Sequence, residues 1–238
     1  MPIKGMELSS ALLLLQINDA LFPIGSYTQS YGLETYVQRG IVDDPASALS
    51  YLQSNIVNSL CYNDLLLAKL AFNAAEQRNW GQIVRLDEDC SAFKAAKEIR
   101  LASNKLGTRF IKNILALKLP SPAHTLLSDY AVAIQRGECL GHFALAYGVF
   151  CSAMNIELSA ALLHFLYGQV SGMVTNAVKL IPLSQTAGQQ ILAELHPEIA
   201  KALAVVMKLS WDDLGRSAPA FELRAMQHEI LYSRLYMS

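Results

Sequence analysis

Proline is absent from two long stretches of this chain, 46–119 and 123–181. Inside a helix a proline removes a hydrogen bond and clashes with the preceding turn, so stretches this long without one leave room for uninterrupted helices. Several of the prolines that do occur sit where helices begin. Asp44-Pro45 and Ser121-Pro122 each place a capping side chain ahead of a proline at the first helical position, and His196-Pro197-Glu198 is a weaker version. Ile99, Ala102, Leu106, Phe110, Ile114 and Leu117 recur every three or four residues, the spacing of one buried helical stripe; Lys97, Arg100, Lys105, Arg109 and Lys112 face the other way. The pattern predicts helices near 8–20, 27–38, 45–60, 63–78, 91–118, 123–136, 140–154, 158–180, 185–194, 197–209 and 219–235. No apolar/polar alternation of useful length appears, and no Asn-Gly or Asp-Gly turn separates two such segments. Neither a fixed-period repeat nor a Ser/Gly/Pro linker divides the chain. The expectation is an all-α, single-domain helical bundle of roughly ten helices over residues 1–238, with its core in the helices around 91–180.

Composition narrows the function. Lys and Arg total 19 against 20 Asp and Glu, a net charge of −1, so the basic footprint of a nucleic-acid binder is missing. Charged residues make up only 16% and apolar ones 53%, with a mean hydropathy of +0.26, which suggests that some apolar surface meets partners rather than water. Four cysteines are too few for a disulfide scaffold in 238 residues, so reduced thiols are expected. The apolar run Ala11–Leu15 is too short for a signal peptide, and Gly141–Met154 too short for a membrane span. The expected location is cytoplasmic, with no membrane partner.

A search for chemistry finds no phosphate-binding loop and no Gly-x-Ser-x-Gly nucleophile elbow. The five histidines show no His-x-x-x-His spacing. Cys139 and His142, three apart, would share a helix face and supply two ligands, which do not close a tetrahedral site. His228 and Glu229 diverge by about 100° on a helix. The acidic clusters Asp87-Glu88-Asp89 and Asp212-Asp213 read as carboxylates at helix starts. Two small-residue stripes, Gly141/Ala144/Gly148/Ser152 and Gly168/Gly172/Thr175, suit close helix packing within the chain more than a dimer contact.

Four segments carry further information. Residues 21–34 read LFPIGSYTQSYGLE, 100–107 RLASNKLG, 177–191 AVKLIPLSQTAGQQI, and Pro219 precedes a tail ending MQHEILYSRLYMS from Met226. In this order and together they resemble the urease accessory protein family UreF, over nearly the whole chain. The family often has His where Gln29 stands, Arg for Lys179 and Phe for Tyr236. The resemblance implies a non-catalytic helical protein that dimerises, binds a UreH/UreD-type accessory protein and recruits and regulates a UreG-type GTPase, so that nickel reaches apo-urease. It implies no cofactor of the chain's own, with nickel and GTP handled by the partner complex.

Within these motifs Pro23 and Gly25 are expected to set a turn, with Tyr27, Tyr31 and Glu34 lining the helix that follows. Lys179 sits near a helix end, followed by Gln185 and Gln189; it is either a helix-end charge or a partner contact. The tail, residues 219–238, alternates apolar Leu223, Met226, Ile230, Leu231 and Tyr236 with polar Arg224, His228, Glu229, Ser233 and Arg234. With little to bury against, it is expected to order on the UreH-type partner, Arg234 making a charge-assisted contact. Arg39, Arg100, Arg109 and Arg234 are the candidates for an arginine finger toward the GTPase. The competing readings are a direct nickel carrier using Cys139 and His142, and a helical enzyme with a buried pocket.

Overall fold

A computed structural model describes residues 8–117, 119, 121–216 and 218–238, with the backbone alone at 121–124. Twelve α-helices follow one another, and no strand occurs among the described residues. They are α1 (Leu8–Asn18), α2 (Leu33–Gln38), α3 (Pro45–Asn55), α4 (Asp64–Glu76), α5 (Trp80–Phe93) and α6 (Lys97–Ala116). The second half holds α7 (Ser121–Gln135), α8 (Phe143–Ala153), α9 (Leu158–Leu180), α10 (Gln185–Glu194), α11 (His196–Val206) and α12 (Pro219–His228). Single 3-10 turns cover Ser26–Thr28 and Trp211–Asp213, and a π-helical turn, Ile56–Leu60, extends α3.

The centre is the pair α4 and α8. Every residue from Phe143 to Cys151 is buried, so α8 is apolar on all sides because it is packed on all sides. Its small-residue stripe works inside the chain: a Cβ on Gly148 would lie 2.2 Å from the Ala68 carbonyl oxygen, so the α4 and α8 backbones nearly touch. Gly172, on the second stripe, faces open space instead. Phe110, Phe143, Tyr147, Phe150 and Phe165 join α6, α8 and α9 through edge-on and tilted ring contacts. Among the described residues no helix is long and apolar enough to cross a membrane.

Capping explains several boundaries. Asp44 accepts from the Ser47 amide at 2.7 Å in a reciprocal capping box, with Pro45 following, as its sequence predicts. Glu157 opens α9 by accepting from the amides of Ser159 and Ala160. The side chains of Ser121 and His124 lie outside the described residues.

Four expectations are corrected. The predicted helix 27–38 is two pieces, separated at 29–32 where Tyr31 and Gly32 adopt positive φ. The predicted start at 91 hides a whole helix: α5 begins at Trp80, and Lys94–Ala96 break it from α6. That break is held from outside the segment, since the Arg100 guanidinium donates to the Lys94 carbonyl at 2.6 Å while Lys94 reaches Asp64 on α4 at 2.9 Å. Asp87 therefore does not start a helix. It lies midway along α5, buried, and accepts from Tyr130 at 2.6 Å and from the amides of Leu140, Gly141 and His142, so it anchors the segment that leads into α8 from across the fold. Finally, α12 stops at His228 rather than 235, for reasons that belong to the site.

Candidate partner-binding site

Two of the four motif segments, 21–34 and the tail, meet at one place, braced by side chains of α6 and α9 that lie outside the other two. The loop 21–32 is pinned by α6: Arg109 donates to the Ile24 carbonyl at 3.1 Å and Asn113 to the Pro23 carbonyl at 3.0 Å. Gly25 supplies the turn at φ 85, and a Cβ there would lie 2.5 Å from an Arg109 nitrogen. On the other side Asn176 of α9 donates to the Gln29 carbonyl at 2.6 Å. The loop so held presents Ser30 and Glu34 to the tail.

The tail is fastened along its inner side. Glu34, 3% exposed, accepts from the amides of Leu235 at 2.7 Å and Tyr236 at 3.1 Å. Met237 donates its amide to the Thr28 carbonyl at 2.9 Å. The Ser238 carbonyl accepts from the Ser30 amide at 2.7 Å and hydroxyl at 2.5 Å, and its own hydroxyl donates to Gln29. Gln38 donates to the Ser233 carbonyl at 2.8 Å. A chain fixed by its main-chain groups to Glu34 cannot also run on as a helix, which is why α12 ends early.

At the centre is His228, fully buried, with Nε2 3.0 Å from Glu34 and Nδ1 2.6 Å from Glu98. The ring lies within hydrogen-bond distance of a carboxylate through each of its nitrogens and so links Glu34 to Glu98. Arg234 adds a cation at 2.7 Å from Glu98. Each Glu34 and Glu98 oxygen thus has a hydrogen-bond partner.

The structure thus gathers Glu34, His228, Ser233 and Arg234 in one clasp, with Tyr27 exposed beside Thr28 and Glu229 exposed at the end of α12. The tail has more to bury against than its sequence suggested, and Arg234 finds its charge partner in Glu98 of the same chain. Tyr31 points elsewhere, into a cavity under α12. Lys179, in the last turn of α9, and Gln185 and Gln189 of α10 lie apart, exposed and without side-chain hydrogen bonds or ion pairs within the described chain. Of the four arginines, Arg100, Arg109 and Arg234 are tied to the chain and Arg39 is exposed. Glu98 was missed because a first-turn acid is favourable at any helix start and carries no further signal. Asn176 was missed for lack of any pattern.

The metal pair does not assemble. Cys139 and His142 both lie ahead of α8, so they do not share a helix face. Both His142 nitrogens face hydroxyls, Ser91 at 2.7 Å and Ser103 at 3.0 Å. Burial holds the His142 imidazole down to about 4, and burial with Asp87 pushes the Cys139 thiol up to about 12. Among the described residues no three His, Cys, Asp or Glu side chains gather as metal ligands do.

Residues 42–196 match the UreF family model. The chain is 39% identical to the urease accessory protein UreF of Actinobacillus pleuropneumoniae serotype 3 (strain JL03) over 225 residues, 94% of this chain and 97% of that protein. It is 38% identical to the protein of the same name from Haemophilus influenzae (strain PittEE), covering 94% of each. The Paenarthrobacter aurescens (strain TC1) protein of that name is 34% identical over 98% of this chain and 100% of its own length.

Proposed function

Because the chain belongs to the UreF family of urease accessory proteins, we propose that it is a non-catalytic adaptor in the delivery of nickel to apo-urease. In this reading it dimerises, binds a UreH/UreD-type accessory protein through its tail, and recruits and regulates a UreG-type GTPase. Nickel and GTP are cargo and fuel of the partner complex. Selective nickel delivery needs geometry and controlled hand-off, because raw affinity favours copper. An adaptor contributes by holding donor and acceptor together, which raises their effective concentration.

The observation that carries the reading is the outer face of the tail. Ile230, Leu235 and Met237 are exposed and Tyr232 is fully so, on a segment whose inner side is fastened to the body. A fixed apolar patch of this kind favours a protein partner over solvent. The separate corner at Lys179, Gln185 and Gln189 offers a second face for the GTPase.

The test is size-exclusion chromatography with light scattering on mixtures with UreH- and UreG-type proteins, with and without nickel and GTP. The intact chain is expected to co-elute with both. Replacing Ile230 and Tyr232 by Ala should weaken the UreH-type contact about tenfold or more. Deleting 219–238 should abolish that contact while the helical core stays folded. Failure of the intact chain to bind either partner, or unchanged binding by the deletion, overturns the reading.

A further inference from the structure

One buried hydroxyl takes no part in the clasp or in the outer face of the tail. Ser103, on α6 within the RLASNKLG segment, is 6% exposed and lines a cavity of about 110 Å³ beneath α12. Its hydroxyl lies 3.0 Å from Nδ1 of His142, whose Nε2 lies 2.7 Å from the Ser91 hydroxyl. Ser91 in turn donates to the main-chain carbonyl of Asp87 at 3.0 Å. A hydroxyl has one proton to give, so Ser91, having given it to Asp87, accepts from Nε2–H. The lone pair of the neutral ring is then at Nδ1, and Ser103 donates to it. No other arrangement of protons on a neutral imidazole makes all three contacts hydrogen bonds. The ring is neutral at ordinary pH, because burial holds it down to about 4.

The backbone fixes the ring in this place. The Asp87 carboxylate accepts from the amides of Gly141 and His142 at 3.0 and 3.3 Å. A Cβ on Gly107 would lie 2.1 Å from the Gly141 carbonyl oxygen, so α6 and the segment that carries His142 are in backbone contact. A hydroxyl, a base within hydrogen-bond reach and a third group that orients the base are the parts that activated serines share.

The cavity limits what reacts there. One of about 150 Å³ accepts benzene, so this smaller one suits an acyl group of roughly two or three carbons rather than an aromatic one. Three charged side chains stand on its wall. Asp64 and Lys94 hold each other at 2.9 Å, and Glu222 accepts from the Ala218 amide at 3.1 Å. Two carboxylates against one ammonium leave the wall negative, which opposes an acyl group that carries a carboxylate of its own.

We infer that Ser103 is a modification site that takes a small neutral acyl group from an activated ester, with His142 as its base. The Ser103 oxygen attacks the acyl carbonyl while its proton passes to Nδ1 of His142. The bond to the leaving alcohol then breaks, and that oxygen takes the proton back from Nδ1. One ester bond is exchanged for another, and nothing is oxidised or reduced.

The test uses the full chain and no partner protein, so it stands or falls apart from the adaptor reading. The probes are the p-nitrophenyl esters of acetate, benzoate and succinate, which share a leaving group and differ in the acyl group. Adducts are located by mass spectrometry of the intact chain and of its peptides. The acetate ester is expected to acetylate Ser103 about tenfold or more faster than the other two esters acylate it. Ser103→Ala should remove that adduct, and His142→Gln should slow it about a hundredfold. Ala96→Met fills the cavity from another wall and leaves the Ser103, His142 and Ser91 contacts in place. It should abolish the adduct, which keeps the test open should His142→Gln fold poorly. No acetyl group on Ser103, equal reaction with all three esters, or a rate unchanged in Ala96→Met overturns the inference.

Discussion

Replacing Glu34 by Gln should release the tail without unfolding the body. The carboxylate takes three donors: the amides of Leu235 and Tyr236 and the His228 ring, at 2.7, 3.1 and 3.0 Å. At 3% exposure it is little screened by solvent. A glutamine keeps the shape but offers one accepting oxygen, and its amide hydrogens face donors. Leu235 is held by one carboxylate oxygen and Tyr236 and His228 by the other, so a glutamine with its oxygen at the second place keeps two bonds and loses the one to Leu235. Hydrogen bonds to a charged group are worth about 1.5–3 kcal/mol each. Taking the lower figure for that bond gives about 1.5 kcal/mol, or roughly a tenfold rise in the population with the tail detached. Native-state hydrogen exchange reads this directly, because the Leu235, Tyr236 and Met237 amides are themselves the fasteners. Their protection should fall by that factor while amides in α8 and α9 keep theirs. Unchanged tail protection would refute the clasp. An equal loss throughout the chain would refute its separateness from the core.

Two further outcomes follow from single residues. The Tyr236 hydroxyl is buried and makes no hydrogen bond within the chain, so Tyr236→Phe should leave tail protection unchanged or raise it by about 1 kcal/mol, and a clear loss in the same exchange experiment would contradict that. His142 stays neutral in the folded chain down to about pH 4, whereas an unfolded chain takes up the proton near 6.5. Between those values the unfolded state binds more protons, so stability falls as the pH falls, by about 3 kcal/mol once below the window. Urea midpoints compared between about pH 7 and about pH 4.5 should drop less in His142→Gln than in the parent; equal drops would show that other groups are responsible.

Long, regular segments were legible and tertiary ones were not. Helix α9 has an acid cap, an apolar stripe and no proline until Pro182, and its span matches the sequence expectation. Helix α5 was hidden because Asp87, Glu88 and Asp89 read as a helix start, whereas Asp87 is buried and anchors the segment ahead of α8, more than fifty residues away. The break at Lys94–Ala96 has no proline or glycine to announce it; it exists because Arg100 and Asp64 take hold of that segment. The same holds at the site. Glu34, His228, Ser233 and Arg234 were named from the motifs, but their mutual contacts depend on Glu98 and on a tail that turns away from helical geometry. Short-range pattern carries propensity, and a partner brought in by the fold can override it.

Beyond the side chains of His228, Arg234 and Ser238, the clasp holds the tail by its amides and carbonyls at 233, 235, 236, 237 and 238. Almost any residue supplies those groups, so the position of the tail is nearly indifferent to what stands at 235 or 237. The outward side chains are therefore free to drift or to be re-engineered for a different partner while their platform stays in register. Exchanging them is a route to changing what the protein recognises without changing how it folds.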